Sequence, residues 1–214
     1  MVSKILCAIG AISGLLAHLV SSAAVPPIPG YAVVDVEWAL PIDPKVSTGP
    51  REVVTGTIQE AIAKMAATHP GWDLPLTSHL NFTNHLNTAP ARHNMLTNLD
   101  DNKPLSQECK FNSGKGKADC SAIRDGAGYL ARIPDNSAPP RNSPKSCGRV
   151  SCSWDSAIWW CNDNHFEKEV TWDAIAKIAW DLQAQCASEP FYTHVSARQF
   201  MEGNWNVYVT GDFC

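Results

Sequence analysis

Residues 147–164, CGRVSCSWDSAIWWCNDN, hold three of the chain's eight cysteines and three of its eight tryptophans. Gly148 to Ser153 and Ser156 to Cys161 read as two strands joined near Trp154-Asp155, and a turn one or two residues later fits the spacing equally well. Successive strand residues face opposite sides of a sheet. Trp159 and Trp160 must therefore diverge, one into the core and the other onto a second layer or into solvent. For most of the eight tryptophans core packing is the expected use, although an exposed indole also suits stacking on a sugar ring.

Downstream of the hairpin, Thr171 is the N-cap of a helix running to about Cys186. Asp173 lies in its first turn, and Trp172, Ile175, Ile178, Ala179 and Leu182 form its apolar stripe. Asn206 to Thr210 alternates as a last strand, ending near Cys214. Upstream, Cys120 to Ile133 reads as a short helix leading into a strand, with Ile123, Ala127 and Leu130 on one side and glycines that weaken it. The Pro-, Asn- and Ser-rich linker of residues 134–146 is expected to be solvent-exposed. From about 72 to 118 the chain loses periodicity and reads as a long irregular loop region, of a kind that is usually functional or mobile.

Thr57-Ile58-Gln59-Glu60 is a capping box, and Ile58, Ala61, Ile62, Met65 and Ala66 follow at helical spacing until His69-Pro70-Gly71 stops the helix. Tyr31 to Leu40 alternates as a half-buried strand, closed by a turn region from Pro41 to Pro50. The expected fold is therefore α+β: a small antiparallel sheet packed by two to three helices, stapled by disulfides.

The N-terminus sets the compartment. Met1 to Lys4 is a short basic start, Ile5 to Val20 is an apolar run, and Ser21-Ser22-Ala23-Ala24 supplies the small residues a signal peptidase needs. The run of 16 residues is shorter than the ~20 that span a bilayer, and Pro26, Pro27 and Pro29 follow at once. Residues 1–24 read as a signal peptide and 25–214 as one secreted domain. The 17 basic and 21 acidic residues give a net charge of −4, and losing Lys4 takes the mature chain to about −5. That balance argues against nucleic acid or an anionic membrane as partner.

Cys7 leaves with the signal. Cys109, Cys120, Cys147, Cys152, Cys161, Cys186 and Cys214 remain, with no CxxC pair, so a disulfide framework is expected rather than zinc. Three bridges and one odd thiol allow about 105 arrangements, and spacing does not choose among them. Burial is the leading expectation for the odd thiol. Asn81-Phe82-Thr83 is a sequon, so Asn81 is a candidate glycosylation site.

No catalytic constellation declares itself. Cys161-Asn-Asp-Asn-His165 places a thiol, a carboxylate and an imidazole close together, with His194 as another possible base. A bridged Cys161 followed by a turn held by Asn and Asp is the expected reading. His79, His85 and His93 are too irregular for one helical face and read as solvated, and no Gly-x-Ser-x-Gly elbow occurs. Neither enzyme activity, a metal nor a cofactor is expected. Within the loop region Phe82, Leu86, Met95 and Leu96 stand out as apolar partner-binding candidates, with packing onto the core as the equal alternative.

Residues 147–164 resemble the signature of small cysteine-rich secreted proteins of filamentous ascomycete fungi, many of them candidate effectors of plant-associated species. The resemblance extends to Val54-Thr-Gly-Thr-Ile-Gln-Glu60 with His69-Pro70, to Ile123-Arg-Asp-Gly126 with Tyr129-Leu130, and to Asn204-Trp-Asn-Val207 with Cys214. It does not extend to the linker or to residues 72–117. It implies a virulence effector in the host apoplast, acting as a monomer on a host extracellular protein, foremost by inhibiting a plant papain-like cysteine protease. The alternatives are a cell-wall-glycan-binding protein and a small secreted hydrolase or nuclease.

Overall fold

The computed structural model describes residues 24–46, 48–73, 103–133, 137–188 and 191–214. Met1 to Ala23 of the expected signal, Asn81, the anchors Phe82, Leu86, Met95 and Leu96, and His79, His85 and His93 lie outside the described residues.

The hairpin forms as its sequence predicts. Strands β7 (Ser146–Ser153) and β8 (Ser156–Asn162) pair antiparallel, with Cys147 opposite Cys161. Around them stand β1 (Ala32–Val34), β4 (Pro104–Cys109), β11 (Ala197–Met201) and β12 (Trp205–Gly211), in the order β1-β7-β8-β12-β11-β4. Every pairing is antiparallel except β1 with β7. The sheet is thus mixed, and with six strands it is larger than expected. Three two-stranded ribbons flank it: β2 (Glu37–Pro41) with β3 (Arg51–Thr55), β5 (Ala118–Asp119) with β10 (His194–Val195), and β6 (Arg141–Asn142) with β9 (Lys168–Glu169).

Helices α1 (Ile58–Thr68), α2 (Cys120–Leu130) and α3 (Trp172–Cys186) pack on one face of the sheet. Each carries the cap its start requires. Thr57 and Glu60 make the reciprocal capping box, Asp119 accepts from the Ser121 and Ala122 amides, and Thr171 accepts from Ala174. Between helices and sheet lie Ile123, Leu130, Ile158, Trp160, Ile175, Leu182, Trp205, Val207 and Val209. The β2–β3 ribbon closes one end by stacking Trp38 on Trp172, with ring centroids 4.3 Å apart.

The glycines of α2, which weaken it as an isolated helix, include one that its packing requires. A Cβ at Gly126 would lie 2.3 Å from Ser151 Oγ and 3.0 Å from Ile158 Cδ1, so the missing side chain sets how closely α2 approaches the hairpin. Gly126→Ala is expected to lose about 1–3 kcal/mol through overpacking, despite alanine's better helix propensity. Urea unfolding monitored by tryptophan fluorescence checks this, and a stabilised variant would contradict the close approach.

Four expectations change. The single strand over Tyr31 to Leu40 is two strands, because the chain leaves the main sheet after Val34 and enters the β2–β3 ribbon. The irregular region of 72–118 contains β4, whose six residues are all exposed. Chain leaving α2 turns at Ala131 instead of entering a strand. The linker is not wholly solvated, since Asn142 is 1% exposed and donates to the Trp160 carbonyl at 2.9 Å.

Candidate binding surface

The second sheet face, away from the helices, is also covered. Trp159, Tyr208, Ala157 and the half-cystines 147, 152 and 161 form a smaller core there, roofed by Ala24, Ile28, Tyr31, Val33 and Phe111. Trp160 faces the helices and Trp159 faces this second core, the divergence that adjacent strand positions demand. Tyr31 fastens the roof by donating from its hydroxyl to Asp163 Oδ1 at 2.7 Å. Burial first, and then the Asp163 carboxylate, push the Tyr31 phenol well above its ordinary value, so this bond keeps its proton at alkaline pH.

Disulfides join Cys147 to Cys161, Cys152 to Cys214 and Cys109 to Cys186. Cys120 is unbridged and 4% exposed, the buried odd thiol that was expected. The bridge to Cys147 removes Cys161 as a nucleophile. The residues after it serve the turn: Asn162 donates to the Asn142, Ser143 and Phe166 carbonyls, while Asn164 donates to those of Gly203 and Asn204. His165 stands exposed beside them.

A second grouping, invisible in the linear motifs, is Cys120 beside Asp119, which lies opposite His194 in the β5–β10 ribbon. It is not assembled for chemistry. The thiol faces the core, where burial pushes its pKa up, and the Asp119 carboxylate is held below its usual range by Ser121 and Ala122 as the helix cap. His194 Nδ1 engages Thr193 Oγ1 at 2.9 Å, on the surface. Among the described residues no group of three or more His, Cys, Asp or Glu is placed to hold a metal ion, and no helix is long and apolar enough to cross a membrane.

What the frame does present is aromatic surface. Seven of the eight tryptophans are buried or partly buried, while Trp154 at the tip of the β7–β8 hairpin is 86% exposed. Trp154 and Asp155 have φ of 51° and 50°, both in the left-handed region. Two-residue hairpins need that geometry, and Asn-Gly is the sequence that adopts it with least strain. A bulky indole there costs about 1–2 kcal/mol relative to such a turn. Backbone strain and high solvent exposure thus coincide in this one residue.

The tip is held from behind. The Asp212 amide donates to the Asp155 carbonyl at 3.0 Å, and Ser156 Oγ donates to the Trp154 carbonyl at 2.9 Å. Asp212, whose side chain is 3% exposed, accepts from Lys115 Nζ at 2.8 Å and from Trp159 Nε1 at 3.1 Å, with Arg149 Nη1 at 3.4 Å. Both cations also lie over the Trp159 ring. The next residue, Phe213, is 77% exposed, and its carbonyl accepts from Arg149. With Cys214 bonded to Cys152, the tail is fixed against the hairpin that carries Trp154.

These features define the class: a disulfide-bonded α+β protein whose described surface offers aromatic anchors on a braced hairpin and tail. Comparison with protein-family models, curated proteins and solved structures found no match to this chain.

Proposed function

We propose that this chain is a secreted fungal virulence effector that binds a host extracellular protein in the apoplast, with a plant papain-like cysteine protease as the leading target and inhibition as the outcome. The observation that carries the reading is Trp154, 86% exposed on a turn beside the Cys152–Cys214 disulfide. Interfaces gain most of their energy from a few rigid aromatic anchors, and a braced anchor loses little entropy on docking. Phe213 stands on the adjoining tail as a second anchor. The three bridges suit a protein acting outside cells.

The same indole also suits stacking on a sugar ring, which keeps cell-wall-glycan binding as the second reading. Purified mature chain at micromolar concentration is expected to bind and slow a papain-like protease. Trp154→Gly is expected to weaken that binding at least ~30-fold, as loss of a hot-spot residue does, while leaving stability within about 0.5 kcal/mol. Glycine relieves the left-handed strain and frees the unfolded chain, two effects that oppose each other. Wild-type chain that leaves every papain-like protease unaffected and binds a glycan array through Trp154 would establish the second reading instead.

A further inference from the structure

Two polar groups deep in the helix-side core have no partner among the described residues, and both lie beside Gly148. Trp160 is fully buried and its Nε1–H has no acceptor, while Asn142 Oδ1 has no donor. The amide cannot be turned round to relieve this, because Asn142 Nδ2 is committed to the Trp160 carbonyl at 2.9 Å. Both orphaned atoms lie close to Gly148, which pairs with Trp160 across the hairpin. A Cβ there would stand 3.1 Å from Asn142 Oδ1 and 3.6 Å from Trp160 Nε1, with Val36 Cγ2 at 3.0 Å.

We infer that one buried water is an integral part of this hairpin, accepting from the Trp160 indole and donating to the Asn142 amide over Gly148. The two groups are complementary, since an indole nitrogen only donates and an amide oxygen only accepts. A bridging molecule must therefore do both, and water is the smallest that can. No hydroxyl of the chain takes the role among the groups close by. Ser146 Oγ donates to Ser143, and Ser151 Oγ faces Gln59 and α2. Gly148 also fits the bridge, because a Cβ there would press on Val36 Cγ2 and on Asn142 Oδ1, the atom that accepts from the water. It also explains a buried asparagine in a linker whose composition reads as solvated: Asn142, the water and Trp160 join β6 to β8, the strand that leads from the Trp154 turn.

A crystal structure of the mature chain at about 1.5 Å tests this, because ordered water is then placed directly. The expected result is a single solvent peak at ~2.7–3.2 Å from both Trp160 Nε1 and Asn142 Oδ1. In solution the Trp160 indole proton is expected to show a cross-relaxation peak to a long-lived water. An indole bonded directly to Asn142 Oδ1, or a gap closed by Val36 with no peak, would overturn the inference. So would a water bonded to only one of the two atoms.

Discussion

Asp212→Asn is expected to destabilise the fold by about 3–5 kcal/mol, the cost of removing one partner from a buried ionic group. The carboxylate is 3% exposed and serves two cations whose side chains are 14% and 16% exposed, together with an indole N–H. Asparagine keeps one acceptor, yet turns an NH2 toward donors that already point inward. Lys115 and Arg149 would then be near-neighbours with no counter-charge between them. For a chain of this size the loss corresponds to a melting temperature lower by roughly 8–15 °C. The Asp212 carboxylate also accepts from the Phe213 amide, while its backbone amide, which the substitution keeps, holds the Asp155 carbonyl, so the variant is expected to loosen the tail that backs the Trp154 tip before the rest of the sheet. Differential scanning calorimetry measures the first effect and hydrogen exchange at residues 154–156 the second. A melting temperature within 2–3 °C of wild type, corresponding to about 1 kcal/mol, would show that solvent replaces the carboxylate and that the cluster does not brace the tip.

Replacing Cys109 and Cys186 together by serine is the second large effect. The bridge spans 77 residues, and in the chain-entropy view a loop of that length constrains the unfolded state by about 4 kcal/mol. Its local effect is larger still in relative terms. All six residues of β4 are exposed, so little apolar burial holds the strand, and its other attachments are the β11 ladder, a bond from Gln199 Nε2 to the Ser106 carbonyl at 2.8 Å and the Arg198–Glu108 pair at 2.6 Å. Surface ion pairs of that kind contribute ~1 kcal/mol at most. The double variant is expected to exchange the amides of Ser106 and Gln107 at close to the unfolded rate while β7, β8 and β12 stay protected. Uniform protection across all six strands would mean that the ladder alone secures the edge.

These expectations separate what local sequence encodes from what only the folded chain decides. The caps at Thr57 and Thr171, the stripe of α3 and the turn at Trp154-Asp155 were legible because each depends on residues within a few positions of one another. β4 was not, since Pro104, Leu105, Ser106, Gln107, Glu108 and Cys109 show no alternation when every side chain faces solvent. The break between β1 and β2 was hidden as well, because β1 is three residues long and held by a parallel partner more than a hundred positions away. Asn142 misled for another reason: linker composition signals solvent, but a polar side chain is buried readily when its bonds are met.

Hairpin spacing placed Trp159 and Trp160 on opposite sheet faces, and the structure buries one in each core. The informative indole is Trp154, whose signal was a bulky residue standing where a two-residue turn favours asparagine. Asp212 carried no local signal, as its cations sit 97 and 63 positions away. The pairing of the cysteines was equally closed to spacing arguments, because each bridge depends on strands and helices already being in place.

Everything proposed for the tip depends on that pairing, so peptide mapping of the purified protein under non-reducing conditions, with alkylation before and after unfolding, tests the account most directly. It should return Cys109–Cys186, Cys147–Cys161 and Cys152–Cys214 as the cross-linked pairs, with Cys120 labelled only after the chain is unfolded. A bridge containing Cys120, or Cys214 joined to any residue other than Cys152, would contradict it.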